Sequence, residues 1–488
     1  MRKNMKQQIE KLEAEGGKYE EIKNATKAGV DIKTDVTNDS DTEATGVSVK
    51  STVYNKEGDV VSTQTDDITV AAGKTETISQ SVDVANPKLW SVDSPNLYWV
   101  RTEIIQNGKV VDRTDSRFGI RYIATNPNSG FYLNGVHTKL NGVCEHSDLG
   151  SLGMETYQAA VDRRIRTLKK YGVNAIRTSH NPVSPEFIEA CDRLGMLVFE
   201  EAFDQWLYSK NSDDYHNYFN KAADGKTVVF DKAGNDNTNN DTSYIEVKRE
   251  DLQSNAERDI KAMVDRDKNA PCIFAWSTGN EIYDARYKHG ENTLDMLTGW
   301  IKEIDTTRPV AACPPTWDNY WANNAQQEKH LAKAEMSGFN YATEQYDGAH
   351  SRYPNMVIFG SETVSAYYYR GVYFLEGEGS GDRCNEYPTY WTFSSATASL
   401  EAHRDKTYTA GEFVWTGHDY LGEPTPRSWP SKSSYFGMID TAGFAKDSFY
   451  LYQSQWFVIS GLDSRNSDYN NWYYGDSNGY VRMDGWYK

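Results

Sequence analysis

Cys272-Ile273-Phe274-Ala275-Trp276-Ser277-Thr278-Gly279-Asn280-Glu281 is a short apolar run closed by an amide and a carboxylic acid. A second run, Met356-Val357-Ile358-Phe359-Gly360-Ser361-Glu362, ends in the same acid. Both runs are too short and too rich in β-forming residues for a helix, and they are typical of buried parallel strands. In a barrel of parallel strands, functional groups lie where the strands end and the loops begin. The two runs therefore predict a pair of carboxylates at one face of such a barrel.

Six further strand-like runs accompany these two, and helical patterns lie between several of them. The eight strand candidates are Lys139–Val143, Ala175–Thr178, Leu197–Glu201, Ile273–Ser277, Val310–Cys313, Ser337–Tyr341, Val357–Gly360 and Glu412–Thr416. The clearest helix candidates are Tyr157–Tyr171, Pro185–Leu194 and Leu252–Asp265. Alternating strands and helices over residues 125–460 predict an α/β domain, a (β/α)8 TIM barrel with insertions. In this count Glu281 follows the fourth strand and Glu362 follows the seventh.

The pattern changes in residues 25–124, where apolar and polar side chains alternate with a period of two. Val47, Val49 and Val53 share one face of such a run, and turn residues such as Lys56-Glu57-Gly58-Asp59 separate the runs. About a hundred residues of this kind predict an all-β domain, an immunoglobulin-like β-sandwich without the cysteine pair of that fold. Residues 1–24 are charged and predict a short helix or tail.

Two further segments have their own composition. Tyr208–Tyr244 is an insertion rich in Asn and Asp, for which a calcium loop is one interpretation. The glycine and terminal Glu of an EF-hand are out of register there, which favours a surface loop. Residues 461–488 are rich in aromatic residues and glycine and look like one unit of the repeats that bind cell-wall choline or glucan. A single unit cannot form an array, so a remnant and a coincidence both stay open.

Composition excludes several classes of partner. The chain has 52 basic and 70 acidic residues and a net charge of -18, which disfavours nucleic acid and anionic membranes. No apolar stretch approaches the ~18 residues of a membrane span, and no signal peptide is visible. The compartment stays open, with the cell surface or exterior expected if the chain is part of a longer protein. Five widely spaced cysteines predict neither a disulfide framework nor a metal pair.

Two carboxylic acids at one face are what glycoside hydrolysis requires. One acid protonates the leaving oxygen, and the other attacks the sugar or activates water. The acid must hold its proton near neutrality while the nucleophile stays ionised, although the chemistry alone does not say which Glu has which role. A metal-dependent hydrolase is disfavoured because no HExxH or comparable cluster occurs among the nine histidines.

Several ordered blocks resemble the signature blocks of glycoside hydrolase family 2, and within it the bacterial β-galactosidases. These blocks are Arg177-Thr178-Ser179-His180-Asn181-Pro182, Phe199-Glu200-Glu201-Ala202-Phe203-Asp204, Ser277-Thr278-Gly279-Asn280-Glu281, Gly360-Ser361-Glu362-Thr363, Phe413-Val414-Trp415-Thr416-Gly417, Leu421-Gly422-Glu423-Pro424-Thr425-Pro426 and Phe436-Gly437-Met438-Ile439-Asp440-Thr441-Ala442-Gly443. The resemblance covers residues 30 to 458. It implies a retaining exo-β-glycosidase that needs no cofactor; Mg²⁺ or Na⁺ near the site is an alternative that no residue pattern here supports.

The resemblance also implies roles for individual residues. Glu281 would be the acid/base and Glu362 the nucleophile, while Arg177 would support the carboxylates electrostatically. The residues expected to bind the sugar are Asn280, His180, Asp204, Tyr341, Trp415 and His418. Relatives often carry an aromatic residue in place of His418. They also carry a jelly-roll domain before the sandwich, where this chain has the charged segment.

The expected substrate is a terminal β-galactoside, and three alternatives stay open. β-Mannosidase is a sister activity in the family. β-Glucuronidase is another, but its Asn-x-Lys element occurs only at Asn4-Met5-Lys6, Asn86-Pro87-Lys88 and Asn107-Gly108-Lys109, all before the barrel. The third is a non-catalytic carbohydrate-binding module. A homo-oligomer and cell-wall contact through the C-terminal repeat are further open points.

Overall fold

The computed structural model describes residues 25–206, 255–316, 325–366, 370, 396–424, 429–459, 474–475 and 481–482. Contacts between Cα atoms divide it into two units. The first is the described part of residues 1–124 with Leu133–Val136 and Asn269–Pro271, and the second is the remainder. The predicted tail at 1–24, the insertion Tyr208–Tyr244 and nearly all of 461–488 lie outside the described residues. The domain limits given above therefore stay predictions.

The first unit contains two antiparallel sheets. One pairs β1 (Lys27–Thr37) with β4 (Thr75–Ala85), and the other has the order β3 (Val60–Val70), β2 (Ala44–Tyr54), β5 (Tyr98–Gln106), β6 (Lys109–Phe118). Alternate side chains of both sheets meet in one core, where Val53 and Val100 pack with Val82 and Val84. This arrangement confirms the predicted all-β domain, because the period of two places one apolar face of each sheet inward.

The second unit contains a closed barrel of eight parallel strands in chain order. The strands are β10 (Leu140–Glu145), β11 (Ala175–Thr178), β12 (Leu197–Glu201), β13 (Ile273–Asn280), β14 (Val310–Cys313), β15 (Met336–Asn340), β16 (Ile358–Val364) and β17 (Gly411–Trp415). A small sheet of β7 (Ile123–Asn126), β8 (Gly130–Leu133) and β9 (Val136–His137) comes before them in sequence, and β18 (Tyr474–Gly475) and β19 (Val481–Arg482) follow. The predicted TIM barrel is confirmed.

Helices connect many of the barrel strands. The described α-helices are α1 (Gln158–Lys170), α2 (Pro185–Leu194), α3 (Asn255–Asp267), α4 (Lys288–Ile304), α5 (Ala325–Lys333), α6 (Tyr346–Arg352), α7 (Ala396–Asp405) and α8 (Asp447–Ile459). Short 3₁₀ turns lie at Gly150–Leu152, Tyr283–Arg286 and Thr343–Gln345. All three helices proposed from sequence are present. The limits of α1 and α2 differ from the predicted ones by at most one residue, and α3 ends two residues after its predicted end.

Aromatic side chains fill the barrel beneath its polar end. Phe199 has ring contacts with Phe274, Phe359 and Phe413 at centroid distances of 5.9, 5.4 and 5.9 Å. The guanidinium of Arg177 lies 6.0 Å from the Phe199 ring centroid, so the charged layer begins directly above the phenylalanines. The interior is therefore packed with side chains below the carboxyl ends of the strands, as expected for this fold.

The two glutamates differ in their relation to the strands. Glu281 comes directly after β13, as predicted, but Glu362 lies within β16, which extends to Val364. Tyr341 follows β15, one residue beyond that strand's end. Glu281 and Tyr341 both have left-handed backbone conformations, with φ of 46° and 54°. Such conformations are uncommon for residues with side chains and often occur at functional sites.

Candidate active site

Two neighbouring residues, Asn340 and Tyr341, link Glu281 to Glu362. Nδ2 of Asn340 donates to Oε1 of Glu281 at 3.4 Å, and its Oδ1 accepts from Oγ of Ser361 at 2.6 Å. The hydroxyl of Tyr341 donates to Oε2 of Glu362 at 2.7 Å. Burial and the charges of Glu362 and Glu281 raise the pKa of Tyr341 well above its usual value. Tyr341 therefore stays protonated and acts as a hydrogen-bond donor to Glu362.

Arg177 is the central cation of the site. It is fully buried on β11, and its Nη1 donates to Oε1 of Glu362 at 3.0 Å. Its Nε and Nη2 donate to Oε2 of Glu201 at 3.1 and 2.7 Å. Nη2 also donates to Oδ1 of Asn280 at 2.8 Å. One guanidinium thus pairs with two buried carboxylates and fixes the Asn280 amide, as its planar fork of donors allows.

The amide of Asn280 also contacts His180 and Asp204. Its Nδ2 donates to Nε2 of His180 at 3.1 Å and to Oδ1 of Asp204 at 3.2 Å. Nδ1 of His180 lies 2.7 Å from Oε1 of Glu201. A carboxylate accepts only, so Nδ1 carries the proton and Nε2 is the acceptor. Nε2 lies 3.7 Å from Oε1 of Glu362, which places His180 beside this carboxylate.

An aromatic wall borders the carboxylates. We use this name for the rings of His146, His180, Trp415 and Tyr420. The rings of His180 and Trp415 are stacked, with a centroid distance of 5.2 Å and an interplanar angle of 3°. His146 contacts Trp415 edge to face at 5.3 Å and stacks on Tyr420 at 4.0 Å. Burial lowers the pKa of His146 to about 4, so its ring is neutral near pH 7.

His418 has a different environment from the other predicted residues. Its Nδ1 lies 2.8 Å from Oε1 of Glu145, and both side chains are buried. The next residue, Asp419, forms a buried ion pair with Lys446 at 2.7 Å. The structure therefore joins His418 to Glu145. It brings the other predicted residues into one contact network: Glu281, Glu362, Asn280, Tyr341, Arg177, His180, Asp204 and Trp415.

Sequence reasoning missed four residues of this network, namely Glu145, His146, Glu201 and Asn340. Glu201 stands in a block that was noted for its neighbours, and the available sequence signal was a pair of acidic residues directly after the apolar run Leu197-Val198-Phe199. Asn340 directly precedes Tyr341 at the end of β15. Glu145 and His146 follow the first barrel strand, where a polar pair after an apolar run is the same signal that identified Glu281.

Within the described ranges, no group of three or more His, Cys, Asp or Glu side chains could hold a metal ion. No α-helix in the same part of the chain has the length and apolar character needed to cross a membrane. The contacts described above bring together five acidic side chains, Glu145, Glu201, Asp204, Glu281 and Glu362, and two arginines, Arg164 and Arg177. The site is thus predominantly acidic, and both arginines already pair with carboxylates.

Comparison with known proteins identifies two family profiles in the chain. Residues 125–328 match the profile "Glycosyl hydrolases family 2, TIM barrel domain", and residues 18–121 match "Glycosyl hydrolases family 2". The chain is 33% identical to β-galactosidase BoGH2A of Bacteroides ovatus, over 88% of the chain and 51% of that protein. It is 32% identical to a putative β-glucuronidase of Formosa agariphila, over 78% of the chain and 35% of that protein.

Solved structures similar to this chain include members of the same glycosyl hydrolase family. A glycosyl hydrolase family 2 member from Bacteroides cellulosilyticus superposes with a TM-score of 0.70 at 29% identity, covering 89% of this chain and 48% of that one. The chain thus spans about half the length, or less, of these relatives.

Proposed function

The chain belongs to glycoside hydrolase family 2, and from this premise we propose that it is a retaining exo-β-glycosidase acting on terminal β-D-galactosides. The observation that carries the proposal is the joining of Glu281 and Glu362 through Asn340 and Tyr341. A binding module would not need two such carboxylates, each with its own donor from the adjacent pair Asn340 and Tyr341. The β-galactosidase BoGH2A is the relative that supports the choice of sugar.

The roles of the two carboxylates follow from their partners. Glu362 is almost fully buried and accepts from the Arg177 cation and from the Tyr341 hydroxyl. Bonds of this kind stabilise a carboxylate anion, which suits a nucleophile. Glu281 is less buried and accepts a longer bond from a neutral amide. It can therefore carry a proton to the leaving oxygen and later remove one from water.

The remaining residues position the sugar. Glu362 attacks the anomeric carbon while Glu281 protonates the aglycone oxygen, and water then releases the sugar from Glu362 with Glu281 as base. The Asn280 amide, oriented by Arg177, is suited to bond the sugar 2-hydroxyl as the oxocarbenium ion develops. Asp204 accepts hydroxyl protons, and Trp415 with His180 provides an apolar surface for the pyranose ring.

The charge of the site favours a neutral sugar over a uronic acid. Both arginines of the described network are paired with carboxylates, and a uronate would bring one more negative charge to five acidic side chains. β-Glucuronidase is the second candidate because the Formosa agariphila relative is named as a putative one. β-Mannosidase differs from the leading proposal only in the sugar stereochemistry.

Hydrolysis of aryl β-galactoside, β-glucuronide and β-mannoside tests this assignment. We expect the galactoside to be turned over fastest, with kcat lowered by about 10³-fold or more in Glu281→Gln and Glu362→Gln. Glu303→Gln, which changes an exposed carboxylate of α4, is the matched control and should leave kcat unchanged. Faster turnover of the glucuronide would reassign the sugar, and no turnover of any glycoside by a folded parent would overturn the enzyme proposal.

Product stereochemistry tests the retaining mechanism separately. A nuclear magnetic resonance spectrum taken early in the reaction should show the β-anomer first, because two displacements restore the configuration. Azide should restore turnover in Glu281→Ala with a β-glycosyl azide as product, and in Glu362→Ala with an α-glycosyl azide. An α-anomer as the first product of the parent would exclude retention.

A further inference from the structure

We propose that Glu145 and His418 are positioning residues, a buried pair that holds the aromatic wall in place against the sugar. The proposal rests on the proposed function, since the wall matters only if a glycoside binds beside Glu362. Neither residue needs to touch substrate for this role. The pair acts through His146, which follows Glu145, and through Trp415, three residues before His418.

The pair bridges the first and last strands of the barrel. Glu145 ends β10, His418 follows β17, and only 2% and 7% of their side chains are exposed. The Glu145 carboxylate passes directly over Gly417, where a Cβ atom would lie 2.1 Å from Oε1. Glycine at 417 therefore makes room for the contact between Oε1 of Glu145 and Nδ1 of His418 at 2.8 Å.

Backbone hydrogen bonds connect this pair to the ends of the three strands at or after which the wall residues lie, namely β10, β11 and β17. The amide of Ser179, next to His180, donates to the carbonyl of Glu145 at 2.9 Å. The amide of Gly417 donates to the carbonyl of Cys144 at 3.0 Å. A shift of Glu145 would therefore be transmitted to His146, His180 and Trp415, whose rings contact one another.

Arg164 completes the electrostatics of the pair. Its Nη1 lies 3.2 Å from Oε2 of Glu145 and donates to the carbonyl of His146 at 2.8 Å. Burial opposes the charge on Glu145, but His418 and Arg164 outweigh it and hold the pKa of Glu145 below its usual value. Burial lowers the pKa of His418 in spite of the neighbouring carboxylate. A neutral imidazole donating to a carboxylate anion is the resulting state near pH 7.

The energetics of buried pairs supply a specific test. Removing one partner leaves the other buried without its bond, whereas replacing both with apolar groups of similar shape is often nearly neutral. Arg164 loses its carboxylate in every variant of Glu145, so the double change is not expected to be neutral, but the effects of the two single changes should combine less than multiplicatively. A wall displaced from the sugar weakens ground state and transition state together, which raises KM and leaves kcat little altered.

The experiment measures kcat and KM for the aryl glycoside that the parent hydrolyses, in Glu145→Leu, His418→Phe and the double variant Glu145→Leu/His418→Phe. We expect KM to rise about tenfold or more in each single variant, as the loss of a buried charged hydrogen bond predicts. In the double variant the rise in KM should be well below the product of the two single effects. Thermal unfolding of each variant establishes that it is folded.

Asp305→Asn is the matched control. Asp305 forms an equally buried ion pair with Arg308, but at the start of β14, the opposite end of a strand from the carboxylates. This variant should lower the unfolding temperature and leave KM unchanged. Single variants with the parent's KM, or multiplicative effects in the double variant, would overturn the positioning role while the parent remains active. A folded parent without activity would overturn the proposed function and this inference with it.

Discussion

Glu362 is stabilised by two donors of different kinds. Arg177 supplies a permanent positive charge at 3.0 Å, and it also binds Glu201. Tyr341 supplies a neutral hydroxyl at 2.7 Å whose pKa is raised by burial and by the negative charges beside it. If Glu362 is the nucleophile, as we propose, the hydrogen bond from this neutral donor can weaken and strengthen as a covalent bond forms and breaks. The arginine, by contrast, stays paired with Glu201 whether or not Glu362 carries a negative charge.

Tyr341→Phe removes this neutral donor and little else. We expect kcat to fall by about 10²–10³-fold, as the loss of one preorganised donor to a reacting oxygen does in other enzymes. The ring and its packing remain, so the unfolding temperature should change by only a few degrees. Steady-state kinetics with an aryl galactoside check this, and a kcat within threefold of the parent's would show that Arg177 alone suffices.

Single residues were predictable from sequence where they follow a strand, and unpredictable where their partner is distant. The position of Glu281 at the end of a strand could be predicted because an apolar run ends at this residue. The pairing of Glu145 with His418 joins residues 273 positions apart, and nothing local to either one indicates the other. His418 was therefore expected to contact the sugar, while its observed partner is a carboxylate that drew no attention.

At the scale of elements, glycine has opposite effects in a strand and in a helix. Gly142 of β10 faces β17, and a Cβ atom there would lie 2.4 Å from the Phe413 ring and 2.5 Å from the Glu412 carbonyl oxygen. Gly299 of α4 is exposed, and a Cβ atom there meets nothing within 4 Å. The first glycine is required by packing, and the second only weakens its helix.

Alanine substitutions at these two positions should change stability in opposite directions. Gly142→Ala should lower the free energy of unfolding by about 1–3 kcal/mol, because an added methyl group overpacks the strand contact. Gly299→Ala should raise it by about 0.5–1 kcal/mol, because alanine favours a helix interior. Urea unfolding of both variants beside the parent gives the values. Equal shifts would mean that the β10–β17 contact relaxes around the methyl group.

Element boundaries were predictable where local chemistry marks them. Helix α2 has the predicted limits because Ser184 caps its first turn, Pro185 fixes its first residue and Gly195 ends it in the left-handed conformation. Strand β16 runs four residues past its predicted end, through Ser361 to Val364. Polar residues usually mark the end of a strand, but here they are buried in the barrel and bonded to neighbouring strands.

At the scale of the whole molecule, buried histidines couple stability to pH. His330 of α5 is fully buried, and neither ring nitrogen has a hydrogen-bond partner in the described residues. Burial lowers its pKa to about 4. In the unfolded chain it binds a proton near pH 6.5, so between pH 6.5 and 4 the unfolded state holds more protons. Stability contributed by the neutral ring is therefore lost as the pH falls through this range.

His330→Leu should reduce this acid sensitivity. A shift from 6.5 to about 4 corresponds to about 3 kcal/mol of stability between neutral and acidic solution. The unfolding free energy of parent and variant is measured in urea at pH 7 and pH 4.5. We expect it to fall less between these pH values in the variant than in the parent. His146 contributes in the same direction, while Asp419, whose pKa burial raises to about 6, opposes it. His146 and Asp419 remain in the variant. If the unfolding free energy of parent and variant depends on pH in the same way, His330 does not have the role given to it here.

The phenylalanines beneath Arg177 also govern the order of events in a catalytic cycle. Because Phe199, Phe274, Phe359 and Phe413 close the barrel below the charged layer, nothing can leave by the far end. Entry and exit must share one mouth. In the mechanism that we propose, a sugar attached to Glu362 is deepest in the site, and the aglycone must depart before water can take its place. The free sugar leaves last, which makes it the natural competitor of the next substrate molecule.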